Sequence, residues 1–167
     1  LNMNNYNLSD YLLFNTLNEN EILHFLKIMK INSYKKNDTI IKENEIGDSI
    51  MLLLDGAVSI TKALTMHTNK NEKREKEFIK LQSTDFPFFG EISIFKNNCK
   101  RTATIKAASN CNIGVLDKKD LITIFKKNSE IGYKVVTNIS HKLIDDLLIT
   151  NSQVLKLTTA FSLILDE

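Results

Sequence analysis

The fold class is decided by the stretch Leu52-Leu53-Leu54-Asp55-Gly56-Ala57-Val58-Ser59-Ile60. An Asp-Gly pair between two short apolar runs is a strong signal for a β-hairpin, because both residues tolerate a positive φ. We therefore predict strands over 49–54 and 57–63, joined by a tight reversal at Asp55-Gly56.

Further short apolar runs lie on both sides of this pair. They cover 31–35, 39–43, 77–81, 101–107 and 112–116. Short strands at this spacing predict an antiparallel sandwich or barrel. The polar stretch 64–76 is interpreted as a hairpin loop. The alternative is a basic contact patch, which Glu72 and Glu75 oppose by diluting the positive charge.

Helical patterns flank the strands. Asn18 followed by Glu21 predicts a capped helix over the next residues, and Asp117 with Asp120 predicts a cap for a helix over 118–127. From about residue 130 to the end, apolar residues return every three or four positions. This stripe consists of Val136, Ile139, Leu143, Leu147, Val154, Leu157, Phe161 and Ile164. Such a helix spans about 50 Å, so we expect its near half to pack on the chain's own sheet and its far half to need a partner helix.

Composition excludes several classes of protein. The chain has 167 residues, 43% hydrophobic and 25% charged, which suits one globular domain with a core. A net charge of +2 does not favour nucleic-acid binding. The two cysteines, Cys99 and Cys111, fit a reducing compartment, and no apolar run reaches the roughly 18 residues of a membrane span. We predict a soluble cytoplasmic domain. His24, His67 and His141 are scattered, which predicts no metal site.

The stretch that carries chemistry is Phe89-Gly90-Glu91-Ile92-Ser93-Ile94-Phe95, followed by Arg101-Thr102-Ala103-Thr104-Ile105. Gly90 permits a close turn before a short helix, whose first N–H groups attract anions. Arg101 is predicted to begin a strand in which its side chain shares the inner face with Ala103 and Ile105. A buried guanidinium needs an anionic partner. That partner is either Glu91, in a structural ion pair, or an external phosphate.

These residues carry a family resemblance. Phe-Gly-Glu-Ile-Ser at 89–93, followed ten residues after Glu91 by Arg-Thr-Ala at 101–103, resembles the phosphate-binding cassette of cyclic nucleotide-binding domains. Such domains occur in catabolite-activator-type regulators, cyclic-nucleotide-dependent kinases and gated channels. Residues 38–49 and 52–60 resemble the family's strand–turn–strand and hairpin. Asn37 and Asn44 stand where the family often has Gly, and Asn can supply the positive φ required there.

The resemblance implies a fold that is mainly β with flanking helices. This fold is an antiparallel double-stranded β-helix, or jelly-roll barrel, with N-terminal helices and a long C-terminal helix. We expect residues 1–130 to form the nucleotide-binding barrel, including the cassette. Residues 131–167 are expected to form the long helix, which serves as a lid or for dimerisation.

The resemblance also implies roles for single residues. Glu91 would accept a hydrogen bond from the ribose 2′-hydroxyl, and Arg101 would pair with the cyclic phosphate. Backbone N–H groups of the cassette would complete the cradle, namely those of Gly90, Ile92, Ser93 and Ala103. Thr102 could bind the phosphate or a guanine amino group. Thr150 and Asp146 are candidates for covering the base. The candidate ligand-binding residues are Phe89, Gly90, Glu91, Ile92, Ser93, Arg101, Thr102 and Ala103.

We therefore predict a sensor of cAMP or cGMP that transmits its occupancy through the terminal helix. We expect no enzymatic step, no cofactor and, at this length, no DNA-binding head. The expected partners are the nucleotide and either a second copy, bound through the terminal helix, or a downstream effector. One alternative is a ligand-free assembly module, which the retained Glu91 and Arg101 oppose. The other is a cupin-type enzyme, which the lack of clustered metal ligands opposes.

Overall fold

The structure is a computed structural model that describes residues 6–63 and 75–165. Within these ranges the strands are β1 (Lys30–Tyr34), β2 (Thr39–Ile41), β3 (Ser49–Asp55), β4 (Ala57–Ala63), β5 (Glu75–Gln82), β6 (Phe88–Phe89), β7 (Thr104–Ala107) and β8 (Cys111–Asp117). They form two antiparallel sheets, ordered β1-β8-β3-β6 and β2-β7-β4-β5. This is the predicted jelly-roll arrangement, built as two open sheets rather than a closed ring.

Helices flank the sheets as predicted. They are α1 (Glu19–Leu26), α2 (Ile92–Phe95), α3 (Lys118–Lys127) and α4 (Ser129–Leu165), with short 3₁₀ helices at Leu8–Asp10, Leu12–Phe14 and Ser83–Asp85. The capping box of α1 is confirmed, because Asn18 and Glu21 each accept a hydrogen bond from the other's backbone N–H. The predicted cap of α3 is wrong. Asp117 precedes α3 but pairs with Lys30 on β1 instead of bonding the helix N–H groups.

The predicted hairpin at Asp55-Gly56 is also wrong, although the tight turn is present. β3 pairs with β6 and β8, whereas β4 pairs with β5 and β7, so the chain crosses from one sheet to the other at Gly56. Gly56 has a φ of +83°, and a Cβ there would lie 2.8 Å from Cβ of Cys111. The hairpin is formed by β4 and β5. The loop predicted at 64–76 lies, except for its last two residues, outside the described residues.

Two apolar layers result from the alternation of side chains along β3. Leu53 faces the space between the sheets, with Val58, Ile105 and Ile113. Ile50, Leu52 and Leu54 face the other way, into a layer that also contains buried residues of the helices. The helical members of that layer include Phe14, Phe25, Leu121, Ile131 and Val135. Because one sheet is covered on both faces, the helices are fixed against it.

The long helix α4 is buried in its first part and exposed beyond it. Val135 and Ile139 are fully buried, and the buried amide of Asn138 donates to the Leu13 carbonyl at 3.1 Å and to Oγ1 of Thr16 at 2.9 Å. From Ile144 onward the described side chains are exposed. The near half thus packs mainly on α3 and the 3₁₀ helix at Leu12–Phe14 and meets the sheet only within the shared apolar layer, so the expected packing on the sheet is only partly met. The far half is not covered by any described residue.

By length and composition, α4 is also apolar enough to cross a membrane. Its most apolar 18-residue window has a mean hydropathy of 1.2, and none of that window is buried. Core helices of soluble proteins satisfy the same criteria. The absence of a membrane span therefore stays a prediction.

Candidate functional site

A cavity of about 500 Å³ opens between the β2-β7-β4-β5 sheet, the 89–93 segment and α4. All ten residues singled out in the sequence line it. They are Phe89, Gly90, Glu91, Ile92, Ser93, Arg101, Thr102, Ala103, Asp146 and Thr150. Residues from three separate parts of the chain thus meet at one place, and the volume is typical of a small-molecule site.

Arg101 lies in a loop and not at the start of a strand. β7 begins at Thr104, so the predicted alternation of Arg101 and Ala103 on one strand face is wrong. The loop is instead fixed by its backbone: the Arg101 N–H donates to the Glu45 carbonyl at 2.8 Å, and its carbonyl accepts from Asn44 N–H at 2.9 Å. Asn44 has a φ of +71°, which confirms that Asn supplies the left-handed turn there.

The guanidinium of Arg101 is held by neutral oxygen atoms. Nη1 donates to the carbonyls of Ser49 and Gly90, at 3.1 and 3.3 Å, and to the Ser93 hydroxyl at 3.4 Å. Nη2 donates to Oγ of Ser49 at 3.0 Å. In the described part of the chain, no carboxylate accepts a hydrogen bond from Arg101. Its positive charge therefore lies at the cavity wall without a carboxylate in direct hydrogen-bond contact among the described residues.

Two glycines make room for this side chain. A Cβ at Gly47 or Gly90 would collide with the Arg101 guanidinium. Gly90 also has a φ of +88°, a conformation that side chains with a Cβ adopt only under strain. Gly90 is thus required both for the turn and for the space that Arg101 occupies.

Glu91 pairs with Lys142 of α4 and not with Arg101. The Glu91 side chain is only 8% exposed, and its Oε1 lies 2.8 Å from Nζ of Lys142. The same Nζ lies 2.6 Å from Oδ2 of Asp146 and 5.6 Å from the centroid of the Phe88 ring. Of the two alternatives that the sequence left open, the Arg101–Glu91 ion pair is therefore the wrong one.

The pKa shifts of Arg101 and Lys142 agree with this pairing. Burial lowers the pKa of Arg101, although Asp48 and Glu91 oppose the shift by attracting its charge. Burial acts in the same sense on Lys142, but Glu91 and Asp146 outweigh it, so the pKa of Lys142 lies above its ordinary value. The two shifts have opposite directions because Lys142 hydrogen-bonds two carboxylates, whereas Arg101 hydrogen-bonds none among the described residues.

Ser93 contributes through its hydroxyl, because its backbone N–H is engaged in this conformation. The N–H donates to the Gly90 carbonyl at 3.2 Å and closes the first turn of α2, so its expected place in an anion cradle is not available here. The Ser93 hydroxyl also donates to that carbonyl, at 2.6 Å, and accepts from Arg101. Ser93 thus supports the position of Arg101.

Thr150 and Asp146 line the cavity from α4, but both make contacts within their own helix. The Thr150 hydroxyl donates to the Asp146 carbonyl at 2.7 Å, and the Asp146 carboxylate accepts from Lys142. The neighbouring residues Ile149 and Gln153 line the cavity on the same helix. This wall of α4 is thus partly apolar and partly polar.

Sequence reasoning missed several residues of the site. Ser49 and Lys142 hold Arg101 and Glu91, and an apolar wall is formed by Ile41, Ile60, Ile79, Leu81 and Ile105. The alternation of Ile79 and Leu81 along β5 is a signal that could have identified this wall. Lys142 stands four residues before Asp146, which predicts their contact on a helix but not the contact with Glu91.

No group of three or more His, Cys, Asp or Glu side chains that could hold a metal ion occurs among the described residues. His24 and His141 lie on α1 and α4, and neither lines the cavity. His67 lies outside the described residues.

Comparison with known proteins shows which family the sequence belongs to. Residues 31–128 match the family model described as cyclic nucleotide-binding domain. The chain is 33% identical over 103 residues to a cGMP-dependent protein kinase of Plasmodium berghei, which covers 62% of this chain and 10% of the kinase. It is 27% identical over 119 residues to the cAMP-activated global transcriptional regulator CRP of Pasteurella multocida, which covers 71% of this chain and 53% of the regulator.

Among solved structures, a cyclic nucleotide-binding domain from Methylobacillus flagellatus has the same fold. It aligns with a TM-score of 0.74 at 18% identity, over 89% of this chain and 82% of that one. The chain spans a tenth of the curated kinase and about half of the curated regulator. What it shares with them is thus a single domain.

Proposed function

Because the chain belongs to the cyclic nucleotide-binding domain family, we propose that it binds cAMP or cGMP in the cavity beside Arg101 and acts as a sensor rather than an enzyme. The observation that carries the proposal is the guanidinium of Arg101, which is partly buried and bonds only neutral oxygens among the described residues. A cyclic phosphate carries one negative charge, and its oxygens can accept hydrogen bonds from the guanidinium N–H groups.

The other parts of the cavity suit the other parts of such a nucleotide. Glu91 lies 51 residues before Lys142 in the chain but beside it in space, and its carboxylate can accept from a ribose 2′-hydroxyl. The base would lie between the apolar side chains of β5, Ile79 and Leu81, and the wall of α4 that contains Thr150. The cavity therefore combines one cation, one hydroxyl acceptor and an apolar base-binding surface.

The choice of purine is left open by the residues around the base. Thr102 is exposed at the cavity wall, where its hydroxyl can bind either the phosphate or the amino group of a guanine. One curated relative is named for cGMP and another for cAMP. Titration with each nucleotide distinguishes them directly.

We further propose that occupancy is passed to α4. Asn128 alone separates α3 from α4, so a small rotation there changes the direction of the long helix. A ligand can bias such a change only by its difference in affinity for the two positions. The exposed far half of α4 would bind a second copy of the chain or an effector through Leu147, Val154, Leu157, Phe161 and Ile164.

Isothermal titration calorimetry tests the binding proposal. Protein shown to be folded and free of nucleotide is titrated with cAMP, with cGMP and, as a control, with the linear nucleotide 5′-AMP. We expect saturable binding of at least one cyclic nucleotide and weaker binding of the linear one. Absence of binding to both cyclic nucleotides would overturn the proposal.

A further inference from the structure

Lys142 lies on α4 at the point where the helix changes from buried to exposed, and its side chain contacts Glu91 in the cavity. Ile139 is fully buried, Lys142 and Leu143 are half-buried, and every described residue from Ile144 onward is exposed. Nζ of Lys142 bonds Glu91 at 2.8 Å and Asp146 at 2.6 Å. No role for this lysine follows from the sequence motifs of the cassette, which end 39 residues before it.

A second lysine on the same helix makes a similar pair away from the cavity. Nζ of Lys134 lies 2.7 Å from Oε1 of Glu21 on α1, and its side chain is 25% exposed, as is that of Lys142. Lys134 also pairs with the carboxylate of Glu130, within its own helix. The two lysines thus differ in where their carboxylate partners lie: Glu91 and Asp146, the partners of Lys142, both line the cavity, and neither partner of Lys134 does.

We propose that Lys142 is a positioning residue that orients the Glu91 carboxylate toward the ribose and thereby sets the preference for ribo- over 2′-deoxyribo-nucleotides. This inference rests on the proposed binding of a cyclic nucleotide. It assigns to Lys142 no direct contact with the ligand, because its Nζ is already bonded to two carboxylates.

The physical reason lies in the two oxygens of a carboxylate. Lys142 bonds Oε1 of Glu91, which fixes the rotation of the carboxylate, and Oε2 is then directed to accept from another donor. The positive charge of Lys142 also compensates a buried negative charge that would otherwise repel an incoming phosphate. Without Lys142, the buried Glu91 carboxylate would lose the hydrogen bond that fixes its rotation.

The test compares two ligands on a set of variants. Dissociation constants are measured for the cyclic nucleotide that the wild type binds and for its 2′-deoxy analogue, and their ratio is the readout. A hydrogen bond to a charged acceptor predicts a wild-type ratio of about 10- to 100-fold in favour of the ribose form. Glu91→Gln should reduce that ratio, because its acceptor is neutral.

Lys142→Met keeps most of the side-chain stem but removes the charge and the donor. We expect the ratio to fall to within about threefold of unity, which corresponds to about 0.65 kcal/mol, because the acceptor is then misoriented. Lys142→Arg should retain a clear preference, and the matched variant Lys134→Met should leave the ratio unchanged. In the Glu91→Gln background, Lys142→Met should cause no further change, because the effect passes through Glu91.

Each outcome separates the two proposals. If the wild type binds no cyclic nucleotide, the proposed function fails and this inference fails with it. If the wild type binds but shows no ribose preference, or if Lys142→Met keeps the wild-type ratio, only the positioning role is overturned. Should Lys142→Met not fold, Lys142→Gln, which removes the charge and shortens the side chain but keeps amide N–H donors, must still lower the ratio for the inference to stand.

Discussion

Truncating Arg101 to alanine should separate ligand binding from folding. A charge-assisted contact with a phosphate contributes about 1.5–3 kcal/mol, so Arg101→Ala should weaken binding of the cyclic nucleotide by about 10- to 100-fold. Lys100 is the matched control, since it is the adjacent cation and also lines the cavity but is exposed. Lys100→Ala should weaken binding by no more than about fivefold, as expected for an exposed charge.

The effect on stability should be small, and the contacts of Arg101 explain why. The side chain makes four hydrogen bonds to neutral acceptors, three of them from Nη1 at 3.1 to 3.4 Å, and the burial of its charge opposes them by several kcal/mol. The Gly90 carbonyl keeps the N–H and hydroxyl of Ser93 after the truncation. We therefore expect the free energy of unfolding to change by no more than about 2 kcal/mol.

Two measurements decide the matter. Calorimetric titration gives the dissociation constants of wild type, Arg101→Ala and Lys100→Ala, and urea denaturation gives their free energies of unfolding. Unchanged affinity in folded Arg101→Ala would refute the assignment of the phosphate to this side chain. An equal loss in both variants would show that overall charge, and not the guanidinium, is responsible.

Three further predictions follow from the packing. Gly90→Ala should reduce both affinity and melting temperature, because a Cβ would collide with Arg101 and the φ is +88°; a variant with wild-type affinity would contradict this. The hydrogen bond from Lys134 lowers the pKa of Glu21, so this stabilisation exists above the ordinary value of 4.5 and is lost as pH falls through the lowered pKa. Lys134→Met should therefore have a lower melting temperature than the wild type at pH 7, and the difference between the two should shrink toward pH 3. Equal melting temperatures at pH 7 would show that the pair contributes nothing. Leu157→Glu should convert a dimer to a monomer by sedimentation velocity, and a wild type that stays monomeric at high concentration, with and without nucleotide, would contradict dimerisation through α4.

The features that local chemistry controls were predictable from the sequence. The capping box at Asn18 and Glu21 requires only four neighbouring residues, and it forms as predicted. Asn37 and Asn44 both adopt the positive φ expected of them, 75° and 71°. In each case the signal and the structure lie within the same short segment, so the rest of the fold does not alter the outcome.

The turn at Asp55-Gly56 shows that a local sequence signal can predict a turn without predicting which strands pair. Asp-Gly favours a tight turn, but it does not state whether the following strand returns to the same sheet or crosses to the other one. Here Gly56 closes a corner against Cys111 on β8, a residue 55 positions later in the chain. The pairing of β4 with β7 and β5 decides the direction, and that pairing is set by contacts distant in sequence.

The partners in the site were unpredictable for the same reason. The sequence places Glu91 and Arg101 close together, which suggests an ion pair between them. In the structure Glu91 pairs with Lys142 instead. Arg101 donates hydrogen bonds to oxygens of Ser49, Gly90 and Ser93. Nothing in the sequence around Lys142 distinguishes it from an ordinary exposed helix lysine, and only the docking of α4 beside the cavity gives it a role.

Because α4 extends far beyond Lys142, a small tilt of the helix there moves its far end by a large distance. The part of the helix from Lys142 to Leu165 is about 35 Å long at 1.5 Å per residue. A tilt of about 10° at Lys142 would displace the far end sideways by about 6 Å. Side chains pack only within about 4.5 Å of one another, so a partner that packs against the exposed apolar side chains in one position would lose those contacts in the other. A rearrangement of an ångström or two beside Glu91 would thus become a displacement of several ångströms at the surface where a partner binds.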